Sequence, residues 1–390
     1  MSNSDAACFS GFAREVGRAG VRNYLLVLSA TGLTGPTARR IGAQVAGAKV
    51  ICNPVDTGLL GADRAATDRA LRGFISHPNV GAVLIIGGNV PRVAALSEYA
   101  ASMRRTVEAV TLDACDHDAL TLTDRGVRAA AGMARSLSRQ RRTPQALADL
   151  LFGLECGRSD PSSGLVSNPL LGRMADRLVD HGGSAIIGET TEWLGAEHLL
   201  AARAVNEGVA QDILDAVLRK EQMAIDAGLD LLGNNPAPTN IAAGLSTIEE
   251  KSLGNITKSG HRPIQSVLAY GEAPSVAGLH VMDAPAYAPE SLTGFTVAGA
   301  QLQFFTTGVG NSFVSLLAPT IKVSANPHTL ARISEQIDFD ASAAFDGTQS
   351  HQQLAHRLWA TAMDVAEGSA TWGEVLGEGE EVIARFAAAL

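Results

Sequence analysis

From residue 22 to residue 142 the chain alternates apolar runs of strand length with amphipathic stretches of helix length, and few folds accept that rhythm. "RNYLLVLSA" (22–30) precedes "GPTARRIGAQVAG", where Pro36 suits a first helical turn. "AKVICNP", "VGAVLIIGGN" and "VEAVTLD" read as further strands. Between and after them come the helical "DRAATDRALRGFISH", "RVAALSEYAASMRR" and "RGVRAAAGMARSLSRQRR". Strands that are apolar throughout are buried on both faces, and intervening helices are the crossovers that parallel pairing requires. The sequence therefore predicts an α/β domain with a doubly wound parallel sheet over residues 10–143.

"QRRTPQ" interrupts the pattern with charge and Pro144, and a second, larger mixed α/β domain is expected over 144–390. Its strands read as "ADLLFGLE", "SAIIGE", "GLHVMD", "LQFFTTG" and "TIKVSAN". Its helices read as "NPLLGRMADRLVDHGG", "EGVAQDILDAVLRKEQMAIDAG" and "HQQLAHRLWATAMDVAEG". "LLGNNPAPTNIAAGL" is an irregular stretch of the kind that usually carries function.

The formal net charge of −9 argues against nucleic-acid binding, which wants a basic face. It leaves room for a small anionic carboxylate substrate, which a few local cations can recognise. Cys8, Cys52, Cys115 and Cys156 are widely spaced with no CxxC pair, as in a reduced cytoplasmic protein. The opening "MSNSDAACFSGFAREVG" lacks the basic segment and apolar core of a secretion signal, and no apolar run reaches membrane-spanning length.

Three stretches carry candidate chemistry, each with a plainer reading beside it. In "GLECGRSDPSSGLVSNP", Asn168 can cap a helix with Pro169 in its first turn. Equally, Cys156 or Asp160 can ligate a metal at a strand end, with the helix start receiving a carboxylate. "GETTEWLGAEH" gathers Glu189, Glu192, Glu197 and His198 after a strand, as an acid/base site or as acids at a helix start. In "LSTIEEKSLGNITKSG", Thr247 and Glu250 have capping-box spacing, and Lys251 and Lys258 lie two turns apart on one helical face. The same residues could instead clamp a carboxylate or abstract a proton. "TTGVGNSF" is glycine-rich but is not the dinucleotide fingerprint.

Taken in order, "REVGRAGVRNYLLVL", "GLECGRSDPSSGLVSNPLLGR", "GETTEWLGAEHLLAARA", "NIAAGLSTIEEKSLGNITKSG", "VMDAPAYAPESLTGFTVAGAQLQFFTTGVGN" and "APTIKVSAN" form a recognisable series. The series closely resembles the altronate/galactarate dehydratase family, which also includes the large subunit of sulfolactate sulfo-lyase. The resemblance spans essentially the whole chain and is strongest in the second half. It implies a lyase that eliminates water, or sulfite, from a 2-hydroxy acid to give a keto acid. It implies a divalent metal, iron in the dehydratases, with Glu155, Cys156, Asp160 and Glu189 on the metal side. Arg22, Asn168, Asn240, Lys258, Thr307 and Lys322, within or beside the same motifs, are the implied substrate contacts. The family's small N-terminal domain has no counterpart ahead of the first motif, so a separate small subunit is expected, as is a homo-oligomer.

Two departures stand out. The loops "CNPVDTGLLGAD" and "IIGGNVPRV" hold Cys52 as their only thiol where the dehydratases usually carry His and Cys, and Val309 replaces a basic residue in "TTGxG". Sulfite leaves more easily than hydroxide, so these losses favour the sulfo-lyase branch. Elimination needs a base within reach of the proton beside the carboxylate and fixed positive charge for the enolate. Lys251 or Glu250 is expected near the proton transfer, with His198 as a further acid/base group. The rivals are a non-catalytic or regulatory paralogue that binds a sugar-acid-like ligand or an active partner, and an oxidoreductase, which the missing fingerprint disfavours.

Overall fold

The computed structural model describes residues 8–56, 58–231, 235–345, 347–383 and 385, and in it the chain builds two main sheets, both parallel. The first comprises β1 (Tyr24–Ser29), β2 (Lys49–Cys52), β3 (Val80–Gly87) and β4 (Thr106–Thr111), in the order β2-β1-β3-β4. Its connections carry helices α1 (Gly35–Gln44), α2 (Gly61–Ser76) and α3 (Val90–Ser102), and α4 (Ala119–Leu137) follows the last strand. Strand side chains alternate faces. Leu25 and Val27 pack with Ile41, Leu122 and Met133, while Leu26 and Leu28 pack with Leu71, Phe74 and Leu96. Helices thus cover both faces, as apolar parallel strands require.

The second sheet comprises β5 (Leu151–Cys156), β6 (Ser184–Ile187), β7 (Ile264–Leu268), β8 (Gly278–Met282), β9 (Leu302–Thr306), β10 (Thr320–Ser324) and β11 (Phe339–Asp340). Its order is β11-β10-β9-β5-β6-β8-β7, and every pairing is parallel. The chain enters at the central β5, fills one side through β6 to β8, and then crosses to β9 on the other. β5 and β9 therefore flank a switch point, and the crevice beyond their carboxyl ends is where open α/β sheets bind ligands. Glu155 and Cys156 are the last two residues of β5. Helices α5 (Asn168–Asp180), α6 (Glu207–Asp226), α7 (Ile248–Ile256), α8 (Ala288–Val297) and α9 (His351–Ala366) pack around this sheet.

The two sheets are bolted together by buried polar groups. His77 bonds the Ala300 carbonyl at 3.1 Å, and the Asn79 amide donates to Gln301 and Leu317 carbonyls at 2.9 and 2.8 Å. Burial lowers the His77 pKa to about 3, so the ring is neutral there. Near the C-terminus, Gly379–Glu380 pairs with Val314–Ser315, and Glu381 accepts from Ser315 Oγ and the Leu316 N–H at 2.6 and 3.0 Å.

One local expectation fails. Asn168 is not a cap, because the chain is already helical from residue 161 and passes through a π turn at Ser163–Ser167. Asn168 has helical angles (φ −66°, ψ −44°), and its side chain bonds Gly254 O and Thr306 Oγ1 instead. Pro169 brings no N–H to the ladder, and a widened turn is where a helix tolerates that loss. Among the described residues, no helix is long and apolar enough to cross a membrane.

Candidate functional site

Three segments converge at the carboxyl end of β5. β5 delivers Glu155 and Cys156, and the turn after β6 delivers Glu189 and Glu192. α7 and the turn after it deliver Lys251, Asn255 and Lys258, whose spacing places them on one helical face. The start of α7 is fixed by Thr247 Oγ1, which accepts the Glu250 N–H at 3.1 Å. Glu189 has a left-handed backbone (φ +60°), a strain that is uncommon for a residue with a β-carbon and recurs at functional sites.

The side chains form one bonded network. Lys258 Nζ donates to Glu155 Oε1 and Asn255 Oδ1 and lies 3.6 Å from Cys156 Sγ. Ser291 Oγ donates to Glu155 Oε2 at 2.6 Å. Lys251 pairs with Glu192 Oε1 at 2.6 Å and also donates to Asn235 Oδ1. The Cys156 thiol points to Asn255 Oδ1 at 3.2 Å and Glu192 Oε2 at 3.6 Å. Glu155 and Lys258 are both fully buried, so each depends on the other for its charge.

Three carboxyls face two ammoniums, and protonation settles the imbalance. Burial, followed by the Glu192 and Glu155 charges, pushes Glu189 well above the ordinary carboxylate range. Its Oε2 is buried with no hydrogen-bond partner among the described residues. Burial also works against Glu192, but Lys251 and Lys258 override it and hold that carboxyl below its usual value. Lys251 is held charged against burial by Glu192 and Glu189. Burial pushes the Cys156 thiol up to about 12, so it is protonated at neutral pH. The environment thus separates the carboxyls: the lysines favour the ionised form of Glu192, burial favours the neutral forms of Glu189 and Glu155, and Lys251 and Lys258 supply fixed positive charge. Such pairs of separated pKa values are how enzymes assign acid and base roles.

Two cavities open onto it, sharing Cys156 and Lys251. The larger, ≈ 660 Å³, reaches Glu189, Glu192, Asn235, Asn240, Arg158 and Asn311. The smaller, ≈ 330 Å³, is more apolar and runs along Leu165, Leu245 and Leu253 to Asp160, Asn168 and Glu250. Asn240 is buried at the larger cavity's wall, where it donates to Ser159 O at 2.9 Å.

Glu155, Cys156 and Glu189 have ligand atoms within 4.8 Å of one another. Asp160 lies outside that group among the described residues. Its carboxylate accepts from Ser162 Oγ, Ser163 N and Asn326 Nδ2 at 2.6, 3.1 and 2.7 Å, so it ties loops together.

Other expected site residues lie apart from the cluster. Arg22 is held by Glu374 at 2.8 Å and by the Val365 and Ser369 carbonyls, a structural anchor for the C-terminal segment. His198 sits exposed on the one-turn helix Glu197–Ala201 and lines neither cavity. Glu250 accepts from Ser246 N and Oγ at 2.8 and 2.6 Å, the bonds of a cap, which lower its pKa. Thr307 Oγ1 accepts the Gly310 N–H at 3.0 Å inside its own loop. Lys322 is buried, pairs with Glu378 at 3.3 Å and donates to the Ser312 carbonyl at 3.0 Å, so it meets the larger cavity through those two lining residues.

No motif singles out Asn235, Asn255 or Ser291, which complete the network. Asn255, four residues after Lys251 and three before Lys258, could have been found by carrying their helical face through. Residues 232–234, at the start of the irregular loop, lie outside the described residues.

Residues 147–389 match the family model of the C-terminal domain of D-galactarate/altronate dehydratase. Residues 11–138 match the second domain of D-galactarate dehydratase/altronate hydrolase. The chain is 33% identical over 382 residues to the (2R)-sulfolactate sulfo-lyase subunit beta of Chromohalobacter salexigens, covering 97% of each. It is 32% identical over 374 residues to the altronate dehydratase of Bacillus subtilis, covering 92% of this chain and 74% of that one. The altronate dehydratase of Escherichia coli is 30% identical over 378 residues, with 93% and 74% covered.

Proposed function

The chain belongs to the D-galactarate/altronate dehydratase family and is a lyase, and on that premise we propose a β-elimination from a short 2-hydroxy carboxylic acid. The product is a 2-keto acid, and the leaving group is sulfite or water. The observation that carries this reading is the crevice at β5, where Glu189, Glu192 and Lys251 line one cavity and Lys251 pairs with Glu192 at 2.6 Å.

In this reading Glu192 takes the proton from the carbon beside the substrate carboxylate. The Lys251 ammonium stabilises the negative charge that develops there, in a site where burial strengthens the interaction. The bond from the next carbon to its leaving group breaks with its electron pair. Glu189 supplies a proton if that group is hydroxide, and the enol becomes the keto acid by taking a proton at the carbon that lost the group and giving up its hydroxyl proton to solvent. Lys258 lines neither cavity, so its part is to hold Glu155 and the local charge balance. Sulfite demands less of Glu189 than hydroxide, and Cys52 is the only thiol in the loops after β2 and β3, so sulfite is the favoured leaving group.

Glu155, Cys156 and Glu189 would hold a divalent cation once Cys156 and Glu189 have given up their protons, and Glu189 would then be a ligand rather than the acid. Their ligand atoms are close enough, and the orphaned Glu189 Oε2 asks for a partner. A mixed oxygen and sulfur set suits iron or zinc better than magnesium or calcium. When bound, the cation would supply Lewis-acid stabilisation of the carboxylate and enolate oxygens.

A separate small subunit is part of this proposal, supported by the relative whose own name is subunit beta. A homo-oligomer is supported by the exposed Leu218, Met223 and Ile225 of α6. Cytoplasmic location is supported by four free cysteines. A domain boundary at 143/144, which limited proteolysis would reveal, completes the reading.

The test is keto-acid formation from sulfolactate and a panel of sugar acids, with and without iron and a co-expressed small subunit. We expect pyruvate and sulfite from sulfolactate, and a fall in kcat of on the order of a hundredfold or more for Lys251→Met. Turnover of no member of the panel would sink the reading and leave the non-catalytic paralogue.

A further inference from the structure

Arg158 leaves β5 two residues after Cys156, so their α-carbons are at most about 7 Å apart. Its φ is +53°, a left-handed conformation that a β-carbon makes unfavourable and that glycine adopts freely. The chain holds it there through the Arg158 carbonyl, which accepts the Gly308 and Val309 N–H groups at 3.3 and 3.2 Å. Nothing in that turn needs an arginine. The side chain lines the larger cavity, is exposed, and makes one long bond, from Nη1 to Gly310 O at 3.5 Å.

The other cation on that wall, Lys251, is engaged by Glu192 and Asn235. Among the described residues, Arg158 has no carboxylate within ion-pair distance, although the cavity also holds Glu189, Glu192 and Glu378. An arginine kept at a strained position, unpaired, on the wall of an acidic cavity has a task that only an anion from outside the chain can complete. Asn311 and Ser312 line the same wall and offer further donors.

We propose that Arg158 anchors a second anionic group on the substrate, so that the enzyme selects short 2-hydroxy acids carrying sulfonate or carboxylate at the far end over acids with a neutral polyol tail. This rests on the β-elimination reading above. The guanidinium fork suits the paired oxygens of either group. The Glu192 carboxylate beside Lys251 repels an anion that lacks such an anchor, which sharpens the choice.

The experiment measures binding of inert probes to the full chain, alone and with a co-expressed small subunit, by calorimetry. 3-Sulfopropanoate and succinate carry two anionic ends, butyrate carries one, and none has a leaving group to lose. We expect the dianions to bind at least tenfold tighter than butyrate. Arg158→Gly should weaken the dianions by about ten- to a hundredfold, the scale of a charged hydrogen bond, with butyrate unchanged. Glycine is at home at this φ, so the variant should keep or raise its melting temperature. The dianion more affected by the substitution identifies the tail as sulfonate or carboxylate. No dianion preference in the wild type, or equal weakening of all three probes, overturns the proposal. Because binding is read without turnover, an Arg158-dependent preference in a chain that eliminates nothing would overturn the lyase mechanism and keep this anchor.

Discussion

The two sheets share an architecture and differ in what their strand ends hold. Both are parallel, both are covered by helices, and both have a cavity at their carboxyl edge. At the first sheet a space of ≈ 610 Å³ is lined by Cys52, Asn53, Arg39 and Glu381, with Arg39 exposed and 3.6 Å from the Cys52 thiol. At the second, three carboxyls and two lysines are buried together. The fold does not explain the difference, since doubly wound sheets host many activities. Segment supply does. The second crevice receives α7 and the turn after it, whose lysines arrive from about a hundred residues beyond β5 and make burial of Glu155 and Glu192 tolerable. The first crevice has no lysine among its described lining residues, and its Arg39 stays exposed.

The largest expected effect follows from that contrast. Lys258→Met leaves Glu155 buried without its partner, and breaking one side of a buried pair costs about 3–5 kcal/mol. Arg39→Ala, at the equivalent edge of the first sheet, should stay within about 0.5 kcal/mol. Urea unfolding of both variants checks this, and equal losses would break the comparison.

A smaller effect tests the one buried acid at the first crevice. Burial raises the Glu381 pKa to about 7, with Ser315, Thr293 and the Leu316 and Leu317 N–H groups working the other way. A carboxyl raised on folding binds its proton more tightly in the native state. Native stability therefore falls as pH rises from the ordinary Glu value of about 4.3 to about 7, and then levels off. That window corresponds to roughly 3 kcal/mol or less. Glu381→Gln removes the titration, so unfolding free energy measured at pH 4.5 and pH 7.5 should converge relative to wild type. An unchanged pH slope would show that Glu381 is ionised in the native state.

How much of this was legible in the sequence depended on distance along the chain. Apolar runs such as "VGAVLIIGG" announced parallel strands because burial on both faces leaves no polar position, and β3 is buried throughout. Strand ends were legible in the same way: Glu155, Cys156 and Glu189 sit at ends that the alternation already marked, and their ligand atoms lie within 4.8 Å of one another. Spacing showed that Lys251 and Lys258 share a face, but a face has no sign. Whether it turns to solvent or to Glu155 is decided by packing about a hundred residues away. Arg22 failed in the opposite sense. A conspicuous arginine in a family motif is held by Glu374, near the other end of the chain, and no local pattern could announce that partner. Asn168 misled because cap chemistry and a π turn use the same residues, and only the preceding backbone separates them.

The smallest expected effect is at Glu250, the residue whose two readings the sequence left level. The bonds it makes are those of a helix start: its own N–H goes to Thr247 Oγ1, and its carboxylate accepts from Ser246. A glutamine oxygen can accept the same two bonds, so the cap survives Glu250→Gln. What the variant loses is negative charge near the positive end of α7, a loss largely screened because the side chain is exposed. Stability should therefore change by less than about 0.5 kcal/mol. Turnover should stay within about twofold, far from the hundredfold fall that loss of a proton-transfer group produces. Glu250 does line the smaller cavity, beside Lys251. A hundredfold loss of kcat in a variant that still melts like wild type would move the base from Glu192 to Glu250. The apolar cavity would then be the substrate's seat, and the contrast between the two sheets would rest on α7 alone.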